Sequence, residues 1–381
     1  MPTRAMRRPR LEALWRGDPR PADYILAIPL RGAAGVLGTA VAARNLWWRW
    51  RASAAAVPVI SVGNLTVGGN AKTPFTIFLA TRLKAAGLGV AIVSRGYHRA
   101  SGDARAALVA DRGELLLDAA QAGDEPAMMA RRFDGPIAVA RRRRDAIDLL
   151  LSRGPLDAVI LDDGFQHTRL RRDLDLVLVN RERGFGNGWM LPAGPMREPL
   201  AALRRAAAVV IISSDASLPS GISAAQLARL EQRPVLHAAL RPRSLVSSVN
   251  GAWTETAPSL TGRRVLAVSG LADPAAFHAM LRELEAELVG VFDFPDHHSY
   301  TAADWQEIAA AARDVDLIVT TEKDLVKLER FPFTRDSLYA LRVEVTMTDG
   351  DARVLDKLID ALFCVPNEYP AVAREVPRDA R

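Results

Sequence analysis

Between Pro58 and Ser213 the chain keeps repeating one unit: a short apolar, β-branched run, a loop, then a helix-length segment. The apolar runs fall at Pro58–Val62, Gly89–Ser94, Pro136–Ala140, Asp157–Leu161, Leu174–Val179 and Val209–Ser213. Helices are predicted over Thr73–Ala86, Glu125–Phe133 and Arg144–Ser152. Strands alternating with helices pair in parallel through crossovers, so the expected fold class is α/β with a doubly wound, mostly parallel sheet.

The rhythm is lost over residues 235–262, rich in Arg, Ser, Pro and Thr, which read as a linker or a small β segment. It resumes with a strand at Arg264–Ser269, a helix at Pro274–Leu284, a strand at Leu288–Phe292, a helix at Ala302–Ala312 and a strand at Asp316–Thr320. The expected organisation is a basic arm and N-terminal membrane-associated helix (1–52), a first α/β domain (53–234) and the linker or β segment (235–262). A smaller α/β domain (263–365) and a polar tail (366–381) follow. A length of 381 residues, 49% hydrophobic and 25% charged, is enough for two cores.

The single cysteine, Cys364, excludes an internal disulfide and fits a reducing compartment. The net charge of +6 suits nucleic acid, an anionic membrane surface or a phosphorylated substrate. Arginine is preferred almost throughout: the lysines are Lys72, Lys84, Lys323, Lys327 and Lys357 among 50 basic residues, so a lysine inside a glycine-bearing loop stands out.

The first twenty residues carry Arg4, Arg7, Arg8, Arg10, Arg16 and Arg20. An apolar run from Tyr24 to Ala43 follows, interrupted by Arg31, and then Trp47, Trp48 and Trp50 among arginines. This pattern suits a helix lying in a membrane interface or a short anchor, and Arg31 argues against a clean span. A signal peptide ending near Ala54-Ala55-Ala56 and a helix packed on the protein's own core are the competing readings.

The sharpest motif is the strand Pro58–Val62 running through Gly63-Asn64 into Thr66-Val67-Gly68-Gly69-Asn70-Ala71-Lys72-Thr73 and then a helix. This is the context of a P-loop, which makes the expected fold P-loop NTPase-like. Backbone N–H groups close around phosphate oxygens, the helix N-terminus adds positive charge, Lys72 meets the β- and γ-phosphates, and the Thr73 hydroxyl meets Mg²⁺. Ala71 and Thr66 stand where the strict pattern has glycine. The run Asp157–Leu161 ends in Asp162-Asp163, a Walker B-like arrangement that puts a carboxylate where Mg²⁺ would sit.

Further segments carry functional-looking residues, and most of them follow a predicted strand onto a loop: Ser94-Arg95-Gly96-Tyr97, Gly123-Asp124-Glu125-Pro126, Arg141–Arg144, and Gly164-Phe165-Gln166-His167. The others are Pro192 to Glu198, Asp296-His297, and Thr321-Glu322-Lys323-Asp324. In this order, with the P-loop, the set resembles the tetraacyldisaccharide 4′-kinase (lipid A 4′-kinase) family over about residues 20–330.

The resemblance implies transfer of the ATP γ-phosphate to the 4′-hydroxyl of a tetraacyl disaccharide 1-phosphate. It implies ATP and Mg²⁺ as cofactors and work at the cytoplasmic face of a bacterial inner membrane. It implies Asp124 as the catalytic carboxylate with His297 as its helper, Lys72 and Arg197 neutralising phosphate, and residues 66–73 binding ATP. Thr73, Asp162 and Asp124 are expected at the metal, and Arg95, Arg143, Asp163, Gln166, His167 and Glu198 at the substrate. The expected partners are the acylated disaccharide phospholipid and a membrane surface, with no nucleic acid, for a monomer. The rival readings are a membrane-associated P-loop ATPase or GTPase, and a non-enzymatic nucleotide- or nucleic-acid-binding module. Against the last, aromatic residues interleave with basic ones only around Trp47–Trp50.

Overall fold

A computed structural model describes residues 3–4, 14–15, 23–69, 71–96, 99, 105–249, 252–332 and 337–364. Asn70 of the phosphate loop, Tyr97, most of the basic arm and the tail 366–381 lie outside the described residues.

Fifteen strands among the described residues join in one sheet. They are β1 (Thr3–Arg4), β2 (Val59–Asn64), β3 (Val90–Ser94), β4 (Ala107–Asp111), β5 (Glu114–Leu115), β6 (Ile137–Val139), β7 (Ala158–Asp162) and β8 (Leu174–Asn180). After these come β9 (Ala208–Ser213), β10 (Val235–Val249), β11 (Ala252–Thr256), β12 (Arg264–Ser269), β13 (Glu287–Asp293), β14 (Leu317–Thr321) and β15 (Leu338–Met347). The order is β1-β13-β12-β14-β15-β10-β9-β8-β2-β7-β3-β6-β4-β5, with β11 paired to β10. The helices are α1 (Asp23–Arg49), α2 (Lys72–Ala85), α3 (Ala119–Ala122), α4 (Asp124–Ala130), α5 (Arg143–Leu151), α6 (Ala224–Leu230), α7 (Ala275–Glu283), α8 (Ala302–Ala311), α9 (Glu322–Leu328) and α10 (Asp349–Cys364).

The central strands β2, β7 and β3 are buried along their whole length, as strands covered on both faces must be. They pair in parallel with one another, and β8 and β9 extend the same parallel set. Their C-terminal ends therefore open on one edge, where α/β sheets receive ligands. The strands β12, β13 and β14 form a second parallel set.

Residues 235–262, read as a linker or small β segment, contain the strand that joins the two sets. Val235–Ala239 of β10 pair in parallel with β9, and Ala238–Val246 pair antiparallel with β15. The register shifts between Pro242 and Ser244, where proline lacks a backbone donor. Two kinds of neighbour and a bulge blur any single apolar period, which is why the sequence loses its rhythm there. The last helix also crosses back to the P-loop side. Leu355 and Ile359 of α10 enter the core formed by Ile60, Phe75 and Leu79, and Arg82 of α2 grips Asp356 through two hydrogen bonds of 2.7 and 2.6 Å.

Helix α1 lays Ala27, Ala34 and Val41 against the body, two turns apart along one stripe. It leaves Ile28, Val36, Leu37, Leu46 and Trp47 exposed, with Trp50 just beyond its end. Arg31, read as an obstacle to spanning, stacks over Trp189 at 4.8 Å. No helix among the described residues is long and apolar enough to cross a membrane.

Candidate active site

The phosphate loop leaves β2 at the centre of the sheet. A Cβ on Gly63 would lie 2.5 Å from the Phe165 Cβ, so only glycine lets the end of β2 approach the loop after β7. The buried Asn64 side chain donates to the Thr66 carbonyl at 2.7 Å, and Val67 N–H donates to the Pro195 carbonyl at 2.9 Å. Gly68 takes a φ of 99° and Gly69 has open space around it. Ala71 caps α2 with a φ of 54°, in the left-handed region, and makes no side-chain cap. The first turn of α2 carries no acidic residue, so the positive end of this helix is left for an anion.

Asp162 ends β7 and is 1% exposed. The Thr76 hydroxyl of α2 donates to one of its oxygens at 3.3 Å and the Ser94 hydroxyl to the other at 3.2 Å. Burial pushes this carboxyl up, and so do the carboxylates of Glu125 and Asp163; Lys72 and Arg143 only partly oppose them. A carboxyl buried beside two others is a place that a divalent cation would stabilise, and the Thr73 hydroxyl begins the same helix that reaches Asp162. The residues therefore fit Mg²⁺. Among the described residues no group of three or more His, Cys, Asp or Glu could hold a metal ion by itself. Nucleotide-bound Mg²⁺ needs no such cage, because phosphates and water complete its shell.

Asp163 turns the other way at a φ of 50°. Arg197 Nη1 donates to its two oxygens at 3.0 and 2.9 Å, and Lys72 Nζ stands 3.7 Å away. Burial pushes this carboxyl up, but Lys72 and Arg197 outweigh it and hold it below the usual carboxylate range. Lys72, Arg197 and Asp163, read separately from sequence, are thus brought together.

Asp124 begins α4 and His297 sits in the turn after β13, at a φ of 60°. His297 Nδ1 stands 3.8 Å from Asp124 Oδ2, and Lys327 Nζ stands 3.5 Å from the same oxygen. Burial pushes the Asp124 carboxyl up, yet its contact with His297 and the charges of Lys327 and Lys323 leave it lowered overall. Asp124 was expected at the metal as well; here it faces cations, and it is the neighbouring Glu125 whose charge is felt at Asp162.

The residues expected at the substrate divide. Gln166 donates to the Asn64 carbonyl at 2.8 Å and its Oε1 lies 3.4 Å from Arg197. His167 lies among Arg143, Arg172, Arg169 and Arg95; burial first, then these charges, pull its imidazole down to about 4, so it is neutral at physiological pH. Arg95 itself is exposed. Arg143 is 3% exposed and donates to the carbonyls of Ala140 and Asp162, which makes it a brace beneath the acidic pair. Glu198 is completely buried, accepting from Arg205 and from Asn45 of α1 at 2.8 Å each, so it ties the exposed helix to the residue beside Arg197.

A cavity of about 520 Å³ runs past Lys72, Thr73, Asp163, Arg197 and His297, and continues between Leu240, Leu271, Phe277 and Met280. That is a phosphate-binding end joined to an apolar slot of the size that ligand sites have. Asp124 lines a second cavity of about 510 Å³, and His297 stands in the wall between the two. The sequence motifs include Glu125 and Lys323 without assigning them a role, and they leave out Arg183 and Lys327. Arg183 lies against Gly68 and pairs with Asp273 at 3.0 Å across the cleft. The signal for the two lysines was present in the scarcity of that residue.

A glycine-bearing loop at a helix N-terminus, an acidic strand end and a lysine between them, on a parallel sheet, define a P-loop phosphotransferase. The sequence profile of the family described as Tetraacyldisaccharide-1-P 4′-kinase matches residues 26–363, and the chain belongs to that family. It is 41% identical over 377 residues to a tetraacyldisaccharide 4′-kinase of Anaeromyxobacter sp. (strain K), covering 95% of this chain and 98% of the relative. It is 40% identical over 329 residues to the enzyme of the same name from Syntrophobacter fumaroxidans, covering 84% of this chain and 85% of the relative. Among solved structures it is similar to "apo" form LpxK from Aquifex aeolicus in complex with ATP. That likeness has a TM-score of 0.71 and 30% identity, covering 89% of this chain and 99% of the other.

Proposed function

We propose that this chain transfers the γ-phosphate of ATP to the 4′-hydroxyl of a tetraacyl disaccharide 1-phosphate, in lipid A synthesis. The observation that carries the reading is the meeting of Asp124 and His297 beside the cavity that holds Lys72 and the phosphate loop. A phosphoryl acceptor needs a base near its hydroxyl and cations around the moving group; Lys72 and Arg197 line one cavity, Asp124 lines the next, and His297 lines both. Lys72 and Arg197 offset charge on the transferring phosphoryl group. Thr73 and Asp162 would hold Mg²⁺, which would offset the charge of the phosphate groups. Asp124 takes the proton of the acceptor hydroxyl, and His297 holds Asp124 in line. Arg95, Gln166 and His167 meet the sugar phosphate.

The acyl chains of such a substrate stay in a bilayer, so the enzyme works at a membrane surface, the cytoplasmic face of the inner membrane. The exposed Ile28, Val36, Leu37, Trp47 and Trp50, flanked by Arg49 and Arg51, support an interfacial contact. The test is incubation with γ-labelled ATP and a tetraacyl disaccharide 1-phosphate in mixed micelles. Label in the lipid product at the 4′ position is expected. Label released only as inorganic phosphate, with or without lipid, would make the protein an ATPase instead.

A further inference from the structure

Lysine is scarce in this chain, yet Lys323 and Lys327 both lie on α9, one turn apart and largely buried. Each faces one member of the Asp124–His297 pair. Lys323 Nζ lies 3.2 Å from His297 Nε2 and donates to Asp296 at 2.8 Å, with Glu125 at 3.9 Å. Lys327 Nζ stands 3.5 Å from Asp124 Oδ2, 3.0 Å from Asp324 Oδ1, and donates to the His298 carbonyl at 3.0 Å. Asp324 is itself fixed by the Gly270 N–H at 2.8 Å and the Thr321 hydroxyl at 2.7 Å.

An ammonium group has only donors. A neutral imidazole whose Nε2 faces one must accept there, which places its single proton on Nδ1. That is the nitrogen facing Asp124, at 3.8 Å. With the opposite tautomer, Nε2–H would point at the ammonium, and a bare Nδ1 lone pair would face a carboxylate.

We infer that α9 is a clamp on the dyad, with Lys323 as a positioning residue that selects the Nδ1–H tautomer of His297 and Lys327 as one that holds Asp124 and the 296–298 turn in place. The inference rests on the dyad reading above. Among the described residues, the groups around the pair include the two lysines, Asp296, Glu125, Asp324 and the Tyr300 ring, over which Lys327 lies at 5.3 Å. His297, at a φ of 60°, lies between the two: Lys323 faces its ring, and Lys327 donates to the carbonyl of the next residue, His298.

The test is a nitrogen-15 spectrum of the full chain labelled at histidine, at a pH where His297 is neutral, with His297→Ala used to assign the signal. The wild type is expected to show Nδ1–H. Lys323→Met, or Lys323→Gln if the methionine variant fails to fold, should shift His297 toward Nε2–H. It should also lower kcat by about tenfold or more while KM for ATP moves by less than about twofold. Lys323→Arg, also a pure donor, should keep the tautomer and recover most of kcat. Retention of Nδ1–H without the lysine would overturn the clamp. So would a rise in KM for ATP at constant kcat, which would make Lys323 a nucleotide contact. If the wild type transfers no phosphate to the acceptor, the functional reading fails while the spectrum still decides the tautomer.

Discussion

His297 Nδ1 stands 3.8 Å from Asp124 Oδ2, although Asp124 begins a helix on the P-loop side and His297 follows β13 on the far side of β10. Asp124→Asn keeps the shape and removes the basicity, so turnover should fall by about a hundredfold to ten-thousandfold. His297→Ala should cost less. The double variant should be little worse than Asp124→Asn, because groups acting as one unit are not additive. Steady-state kinetics on the three variants checks this, and multiplicative losses would mean that the two residues act independently.

Lys72→Ala should lower turnover by about a hundredfold or more, equivalent to roughly 3 kcal/mol of electrostatic stabilisation. The fold should survive, since Arg197 still covers Asp163. Kinetics alongside a thermal melt separates the two effects; near-normal turnover would remove the phosphate loop from the chemistry.

Ala71 puts a methyl group where the strict phosphate-loop pattern has glycine, at a steric cost to the anion cradle. Its φ of 54° adds a second cost, since an L-residue in that region is strained by about 1–2 kcal/mol. Against this, the side chain packs on the core beside α2, and glycine would loosen the unfolded chain by about 0.5–1 kcal/mol. Ala71→Gly should therefore change stability little while tightening ATP binding by up to about 1 kcal/mol. Calorimetric titration would measure it, and weaker binding would show a loop fitted to alanine.

His167 gives a pH signature. Unfolded, it takes up a proton below about 6.5; folded, burial and the surrounding arginines delay this to about 4. Between those values the unfolded chain holds more protons, so stability is lost as pH falls through this window, and the group contributes nothing above it. Denaturant midpoints from pH 7 to 4 should fall less steeply in His167→Gln than in the wild type. Parallel curves would assign the acid loss to other groups.

The membrane contact is better tested on the exposed face of α1 than by truncation. Removing residues 1–50 would also strip Asn45 and Arg44 from the buried Glu198, next to Arg197. Replacing Val36, Leu37, Trp47 and Trp50 by serine leaves that tie intact. Flotation with anionic liposomes should drop while ATP binding is kept; unchanged flotation would put the contact elsewhere.

Local sequence determined the sheet's central strands, the phosphate loop and the acidic strand end, because each is written in contiguous residues with its own period: fully apolar runs, a glycine turn, a helix start. Those elements appear within a residue or two of where the sequence puts them. Tertiary structure alone decided that β10 is a seam, that α10 returns to the first core, and that Arg143 and Glu198 are buried supports. It also decided that Lys323 and Lys327 face the Asp124–His297 pair. The reason is physical. A buried charge is stable only beside its partner, and here the partners lie far apart in the chain, so their meeting depends on the order in which strands enter the sheet.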